Sequence, residues 1–213
     1  MRNAVVDGEL VVTVDNAVAI GEKPLDAVHA PYDVVAAFTT RVLLLEQMCA
    51  NATMTLCTVG NGAGEAAFVR YMAGIEDVFT DIGEPLPKMV VSTETNMPTQ
   101  QSALTMTAIG YARAAREKGA YRYVIGHPHV GESVLTHQHE VAPLALIYKL
   151  WQQGIITHVW PTGSKGLAYE CTRFFGDVPR LRVDMDVTCG PSTVVLVYAR
   201  EPLTLAHVPY YEV

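Results

Sequence analysis

The chain has 213 residues, of which 50% are hydrophobic and 17% are charged. That length accommodates one large domain or two small ones that share a core, and this composition excludes a disordered chain. The net charge of −7 argues against a nucleic-acid-binding protein. No apolar run reaches the roughly 18 residues of a membrane helix, and residues 1–8 lack a signal-peptide pattern. The four cysteines form no C-x-x-C pair, which predicts reduced thiols in a cytoplasmic protein.

The first half of the chain alternates strands with helices. β-branched runs predict strands, and apolar residues at helical spacing predict helices. The predicted elements are a strand at 10–14, a loop at 21–31, a helix from Asp33 to about Asn51, a strand at 54–59, a flexible turn at 60–64, a helix at 65–79 and a strand at 88–93. The segment 102–114 could be a strand or a helix, and its period-2 alternation favours a strand. This β-α-β-α-β-β order predicts an α+β fold with helices on one face of a sheet.

The second half has a similar texture but is shorter. Its predicted elements are a strand at 121–125, a helix at 140–153, a strand at 157–160, a helix at 167–175 and strands at 181–185 and 193–198. We place the domain boundary near Gly119, where a charged stretch ends. The predicted domains are therefore 1–119 and 120–213.

Three carboxylates lie at or beside predicted strands. Asp15 follows the first strand directly, Glu94 ends the third strand, and Glu46 lies on the first helix. If they converge, they repel one another unless a divalent ion such as Mg²⁺ lies between them. The alternatives are a loop-starting Asp15 that bonds its own backbone and a solvated Glu46 on an amphipathic helix.

Four histidines occur in two H-x-H pairs, His127 with His129 and His137 with His139. Residues i and i+2 share a face of a strand, so zinc ligation is geometrically possible. A binding loop at the mouth of a cleft and ordinary surface histidines are the alternatives. Gly131-Glu132-Ser133 offers backbone N–H groups and a hydroxyl to a ligand.

A loop of small residues, 161–167, opens a predicted helix and contains Gly163, Ser164 and Lys165. Backbone amides at a helix N-terminus bind anions, and Lys165 adds positive charge. The spacing is not that of a P-loop. The alternative is a plain turn followed by a helix cap.

The order of these segments resembles the ATP-binding superfamily typified by aminoimidazole ribonucleotide (AIR) synthetase, which includes thiamine-monophosphate kinase and selenophosphate synthetase. Thr13-Val14-Asp15 corresponds to its S-T-D-like metal site, and Glu46 to the metal-binding acid of its helix motif. Further matches are Glu94 and Thr95 in its G-G-[DE]-T motif, residues 126–133 in a G-x-x-x-G-[DE]-S-like loop, residues 162–167 in a T-G-x-G-L-like loop, and TCGPSTVVLV at 188–197.

The resemblance implies a ferredoxin-like N-terminal half, a shortened AIR synthetase-like C-terminal half, and a homodimer whose N-terminal sheets close a barrel. It implies ATP as co-substrate and Mg²⁺ as cofactor. The residues it assigns are Asp15, Glu46 and Glu94 as catalytic metal ligands, Asn16, Lys23, Thr95, Gly163, Ser164 and Lys165 for the nucleotide, and His127, His129, Glu132 and Ser133 for the substrate.

Among these proteins, the chain most resembles the compact α-ribazole kinases, which phosphorylate the nucleoside of the cobalamin lower ligand. The expected function is therefore transfer of a phosphoryl group from ATP to a hydroxyl of a nucleoside-like small molecule. A superfamily kinase with a thiamine-phosphate-like acceptor is one alternative. The other is a non-catalytic nucleotide-binding dimerisation module, which the short segment before residue 10 favours because it leaves out the usual N-terminal ATP-binding stretch.

Overall fold

A computed structural model describes residues 2–213, and Met1, at the start of the predicted N-terminal domain, lies outside them. The chain divides into two compact units. One unit comprises Asn3–Arg113, and the other contains Arg2 together with 114–213. The division falls a few residues before the boundary predicted at Gly119.

The N-terminal unit contains most of the predicted elements in the predicted order. They are β1 (Ala4–Asp7), β2 (Leu10–Val18), β3 (Ile20–Gly21), β4 (Val28–His29), α1 (Tyr32–Cys49), β5 (Ala52–Asn61), α2 (Glu65–Ile82), β6 (Lys88–Thr93) and β7 (Ala103–Ala112). The predicted α+β class is confirmed. The strand β1 precedes the predicted series, and β3 and β4 are short strands inside the predicted loop at 21–31.

Five of these strands form one sheet in the order β1-β2-β7-β5-β6. Only β5 and β6 run parallel to each other, and the remaining neighbours pair antiparallel. Helix α1 packs against β2, β5 and β7, and α2 packs against α1. Alternation along β2 therefore buries Val11 and Ala17 against the helices and leaves Val14 and Val18 exposed on the opposite face.

The two helices approach each other closely at Gly74 of α2. A Cβ atom at that position would collide with the backbone of Asp33 in α1. Helix α1 begins at Tyr32, directly after Pro31, and the backbone nitrogen of Tyr32 donates a hydrogen bond to Glu22 Oε1, 3.3 Å away. The predicted capping role of Asp33 is therefore wrong, and its carboxylate instead pairs with Arg70 of α2.

Two strands of this sheet are longer than predicted. Strand β2 continues to Val18, so Asp15 lies inside the strand. Strand β5 continues through Asn61, which extends it into the predicted turn at 60–64. The turn starts at Asn61, whose side-chain oxygen accepts a hydrogen bond from the backbone of Ala63, 2.9 Å away, as asparagine commonly does in turns.

The C-terminal unit contains a second, antiparallel sheet in the order β11-β8-β10-β9. Its elements are β8 (Tyr121–Ile125), α3 (Glu132–Thr136), a single 3-10 turn (Gln138–Glu140), α4 (Leu144–Gln152), β9 (Ile156–Pro161), α5 (Leu167–Phe175), β10 (Val195–Ala199) and β11 (Tyr210–Glu212). The inner strand β10 is buried along its whole length. Alternating strands and helices were predicted here, but α3 and β11 were not.

Two predictions for this unit are wrong. The segment 181–185 alternates like a strand but joins no sheet, and the Asp184 carboxylate accepts a hydrogen bond from the Asp186 backbone 3.0 Å away, which bends the chain. The helix predicted at 140–153 starts only at Leu144. Pro143 directly precedes this helix. Because proline has no backbone N–H to donate within a helix, the helix begins after it.

Within residues 2–213, no helix is long and apolar enough to cross a membrane. The four cysteines are all free thiols. Burial raises the pKa of Cys57 to about 11 and that of Cys189 to about 11. These thiols are therefore protonated and poorly reactive near neutral pH.

Candidate functional site

Asp15 lies on the face of β2 that α1 covers. Alternation places it on the same side as Thr13 and Ala17, which are both buried, while Asp15 itself is partly exposed. Its partner on β7 is Met106, whose sulfur lies 3.9 Å from the Thr40 hydroxyl of α1. Asp15 is therefore a strand residue beside the helix layer, and the prediction that it follows a strand and opens a loop is wrong.

Glu46 of α1 is 1% exposed. Its Oε2 accepts a hydrogen bond from the backbone nitrogen of Asn3, 3.3 Å away. Asn3 directly precedes β1, where Ala4 pairs with Thr13 of β2, so Glu46 lies near Asp15 along the sheet. The alternative of a solvated Glu46 is therefore wrong. A carboxylate buried at this level needs polar or cationic partners to offset its lost hydration.

Glu94 lies far from the other two carboxylates. It follows β6, an edge strand that β5 and β7 separate from β2, which amounts to about 14 Å at the usual strand spacing. Its Oε1 accepts hydrogen bonds from the backbone nitrogens of Asn96, at 2.7 Å, and Met97, at 3.0 Å. These bonds lower the pKa of the Glu94 carboxyl.

The predicted convergence of Asp15, Glu46 and Glu94 is therefore wrong for a single chain. Across residues 2–213, no group of three or more histidine, cysteine, aspartate or glutamate side chains could hold a metal ion. The residues present do not fit a resident three-carboxylate Mg²⁺ site. Asp15 and Glu46 are the two members of the set that the fold places on the same side of one sheet.

The residues assigned to the nucleotide in this unit are dispersed. Asn16 is exposed on the open face of β2, opposite to Asp15. Thr95 is exposed next to Glu94. The Lys23 ammonium donates a hydrogen bond to the backbone oxygen of Thr99, 3.0 Å away, so this cation fastens one loop to another.

The loop before α5 contains Gly163, Ser164 and Lys165. Ser164 and Lys165 are exposed, and the Lys165 ammonium lies 4.6 Å from the centre of the Tyr169 ring. Gly163 is buried, and a Cβ there would collide with the Arg2 guanidinium. The fold therefore presents Ser164 and Lys165 to solvent at the N-terminus of α5.

The first turn of α5 also contains a carboxylate. Glu170 is 2% exposed and accepts hydrogen bonds from Arg2 Nε, at 3.1 Å, and Trp160 Nε1, at 2.8 Å. A carboxylate near a helix N-terminus already interacts favourably with the helix dipole. Because the Glu170 carboxylate already interacts with the dipole of α5, a second anion would gain less there. A plain turn is therefore a simpler interpretation of this loop than an anion-binding site.

The clearest assembly of chemically reactive side chains is a histidine cluster, defined here as His127, His129, Ser133, Glu140 and Tyr211. Glu140 Oε2 lies 2.7 Å from His129 Nε2 and 3.3 Å from His127 Nδ1. Ser133 Oγ lies 3.0 Å from His129 Nδ1. The Tyr211 hydroxyl lies 2.8 Å from His127 Nε2.

Several elements position this cluster. His127 and His129 follow β8, Ser133 lies on α3, Glu140 ends the 3-10 turn, and Tyr211 lies on β11. Burial alone would raise the pKa of the Glu140 carboxyl, but hydrogen bonds from the two histidines outweigh it and lower the pKa overall. Glu140 is therefore ionised near neutral pH.

Three of the four predicted substrate residues belong to this cluster, namely His127, His129 and Ser133. Glu132 is exposed and takes no part in these hydrogen bonds. Sequence reasoning missed Glu140 and Tyr211, because no fixed spacing joins residues 127, 140 and 211. The only sequence signal is a glutamate directly after the second H-x-H pair.

The second pair of histidines lies at the edge of the cluster. The His137 ring stacks on the His129 ring with centres 4.7 Å apart, while the His139 side chain is 74% exposed. The imidazole nitrogens of His127 and His129 are taken up by Glu140, Ser133 and Tyr211. This arrangement satisfies the cluster internally and does not support a zinc site.

The sequence matches no protein-family model and no curated protein. Solved structures nevertheless share its fold. Hydrogenase maturation protein HypE, in a complex with ATP, is 12% identical with a TM-score of 0.57, over 92% of this chain and 70% of that one. Thiamine monophosphate kinase from Aquifex aeolicus is 12% identical with a TM-score of 0.57, over 98% of this chain and 85% of that one.

Phosphoribosylformylglycinamidine synthase II from Thermotoga maritima is a third similar structure. It is 13% identical with a TM-score of 0.54, over 99% of this chain. The chain spans only 36% of that larger protein. All three belong to the AIR synthetase-like superfamily, so the chain has an AIR synthetase-like α+β fold.

Proposed function

We propose that this chain is an ATP-dependent phosphotransferase that acts on an alcohol group of a small molecule. The observation that carries the proposal is the likeness of fold to thiamine monophosphate kinase over 98% of this chain and 85% of that one. Two similar structures were solved with ATP, those of HypE and of the Thermotoga maritima synthase.

Phosphoryl transfer depends mainly on positioning and on neutralising charge. We assign Asp15 and Glu46 to the nucleotide side of the reaction, because both lie on the helix-covered face of one sheet and Glu46 is buried there. Mg²⁺ would arrive as the ATP complex, since the described residues offer no ready-made three-ligand metal site. Glu94 has no assigned step.

On the acceptor side, the proposal uses the loop at 127–133 of the C-terminal unit. This loop combines imidazoles, a hydroxyl and the ionised Glu140, which suit a polyhydroxylated acceptor. By sequence resemblance alone, α-ribazole is the first acceptor to test and thiamine monophosphate the second. The exposed Ser164 and Lys165 are proposed as phosphate contacts by sequence resemblance alone, because Glu170 already lies in the first turn of α5.

A homodimer is part of the proposal. The face of the N-terminal sheet away from α1 is apolar and exposed, with Val5 at 69%, Val14 at 54%, Val18 at 57% and Val90 at 63% exposure. Soluble proteins rarely leave such a surface in contact with water. A second copy of the chain, which brings the same apolar face, is the simplest cover.

A binding module without catalysis is the second candidate. The specific observation in its favour is that Asp15, Glu46 and Glu94 do not meet within one chain. A module of this kind would bind nucleotide and dimerise but transfer nothing.

The deciding experiment incubates the purified chain with Mg·ATP and a panel containing α-ribazole, thiamine monophosphate and common nucleosides. ADP release and the mass of the phosphorylated product are measured together. We expect product from at least one acceptor, and loss of that product in Asp15→Asn. ATP binding by calorimetry without any product across the panel would select the binding module, and the absence of ATP binding would eliminate both candidates.

A further inference from the structure

Ser133, His129 and Glu140 form a continuous hydrogen-bonded line. Ser133 Oγ lies 3.0 Å from His129 Nδ1, and His129 Nε2 lies 2.7 Å from Glu140 Oε2. The imidazole tautomer with its proton on Nε2 donates a hydrogen bond to the carboxylate. It then directs the lone pair of Nδ1 toward the serine hydroxyl. These are the relations of nucleophile, base and orienting carboxylate that define serine-based acyl transfer.

We propose that Ser133 is a nucleophile activated by His129, and that this serine hydrolyses activated carboxylic esters. Both ring nitrogens of His129 already have partners within the chain. The proton that His129 is placed to accept is therefore the proton of Ser133, and not that of an external hydroxyl. Ser133 is only partly buried, so a small electrophile can reach it.

The base is held rigidly from several sides. The backbone nitrogen of His129 donates to Thr193 Oγ1, 3.0 Å away, and the ring of His137 stacks against its imidazole. The His129 side chain is 12% exposed. Glu140 acts through His129 and is a positioning residue. A second hydrogen bond, from His127, helps to fix its carboxylate.

The reaction balances with water as the only co-reactant. Ser133 Oγ bonds to the ester carbonyl carbon while its proton passes to His129 Nδ1. The carbon–oxygen bond to the leaving alcohol then breaks, and the alcohol takes that proton. Water attacks the acyl-serine, passes a proton to His129 and releases the carboxylic acid as Ser133 recovers its proton.

The test treats the folded chain, without nucleotide, with a fluorophosphonate probe and locates the adduct by peptide mass spectrometry. We expect one adduct, on Ser133, and none on the urea-unfolded chain. The same sample should hydrolyse p-nitrophenyl acetate. Because neither measurement uses ATP, failure of this proposal would leave the phosphotransferase proposal standing, and the reverse also holds.

Variants separate the roles. Ser133→Ala should abolish the adduct, and His129→Asn should slow labelling by at least about 100-fold. The matched controls are Ser92→Ala, an exposed serine on β6, and His207→Asn, an exposed histidine whose φ of 65° suits asparagine. Both should label like the original chain. Circular dichroism confirms that each variant is folded.

Glu140→Gln provides a readout that a structural role would not produce. The groups that face the His129 ring are Glu140, Ser133 and His137. His127 and His139 lie beyond the Glu140 carboxylate, and the uncharged Thr193 lies at the His129 backbone. Removing the negative charge of Glu140 destabilises the imidazolium. The labelling rate should therefore fall, and its pH midpoint should move to lower pH.

Two results would overturn the proposal. One is an adduct on another residue, or none on the folded chain. The other is Glu140→Gln and His129→Asn variants that fold and label at the original rate, because Ser133 would then react without assistance from the line of hydrogen bonds.

Discussion

The side-chain oxygen of Gln47 lies against Gly110, at a point of β7 where a methyl group would collide with it and with the backbone oxygen of Thr53. The amide nitrogen of Gln47 extends over the sheet, 3.2 Å from Thr13 Oγ1 and 3.2 Å from the backbone oxygen of Ala108. A buried amide thus joins α1 to β2 and β7. It fits only because residue 110 has no side chain.

Gly110→Ala should therefore destabilise the N-terminal unit by roughly 2–4 kcal/mol, since neither Gln47 nor the neighbouring strand can move away freely. The matched control is Gly60→Ala on β5, where a Cβ would meet only ordinary contacts at 3.6 Å or more. Urea unfolding followed by circular dichroism measures both. Equal stability of the two variants would contradict this account of α1 packing.

The carboxylate of Asp26 should make the free energy of unfolding of the N-terminal unit depend on pH. It is 6% exposed, and its carboxylate accepts hydrogen bonds from the backbone and hydroxyl of Ser102, both at 2.7 Å, and from the backbone of Lys23 at 2.8 Å. Burial alone would raise the pKa of Asp26, but these bonds lower it overall.

Because the folded-state pKa is lowered, the stabilisation is fully present above the ordinary aspartate pKa of about 4 and is lost as pH falls through the lowered value. Asp26→Asn should cost about 1–3 kcal/mol at pH 7, and the difference should shrink between about pH 5 and pH 3. Asp77→Asn, on the exposed side of α2, is the control. A difference that stays constant with pH would exclude the titration of Asp26 as its cause.

Val14→Lys tests the homodimer. Val14 is 54% exposed at the open face of the sheet, so a lysine there leaves a single chain intact but places charge inside an apolar interface. Sedimentation should show a dimer for the original chain and a monomer for the variant. Val69→Lys, a change at an even more exposed valine of α2, should remain dimeric. An original chain that sediments as a monomer at micromolar concentration would end the dimer proposal.

Glu46→Gln separates a functional carboxylate from a structural one. The amide oxygen can still accept the hydrogen bond from Asn3 and the side chain keeps its size, so the variant should remain folded. Phosphotransfer should fall by about 100-fold or more. Glu76→Gln, on the exposed side of α2, serves as control. A fully active Glu46→Gln variant would remove Glu46 from the nucleotide site.

Local periodicity predicted the elements well where one pattern acts alone. The bounds of β6, β8 and α5 agree with the predictions because turn residues or glycines delimit them on both sides. The prediction of a strand at 181–185 was wrong because a strand also needs a neighbouring strand to pair with, and local sequence does not reveal one.

The candidate site was less predictable, because it too depends on contacts between residues that are distant along the chain. The pairing of His129 with Ser133 is local, four residues apart, and the sequence pattern singled out both. The addition of Glu140 depends on the chain reversing after α3, and that of Tyr211 on a strand more than 80 residues later. Conversely, Asp15 and Glu94 both look like strand-end acids, but only the strand order shows that two strands separate them.

The central position of β7 has a consequence for biosynthesis. It lies between β2 and β5, yet it is the last strand of its sheet to leave the ribosome. Until Ala112 has emerged, β2 and β5 lack their shared partner, and the helix-forming segments between them have no complete surface to cover. At about 5–20 residues per second, several seconds separate the emergence of β2 from that of β7, and during that time the neighbour available to β2 in its sheet is β1 alone.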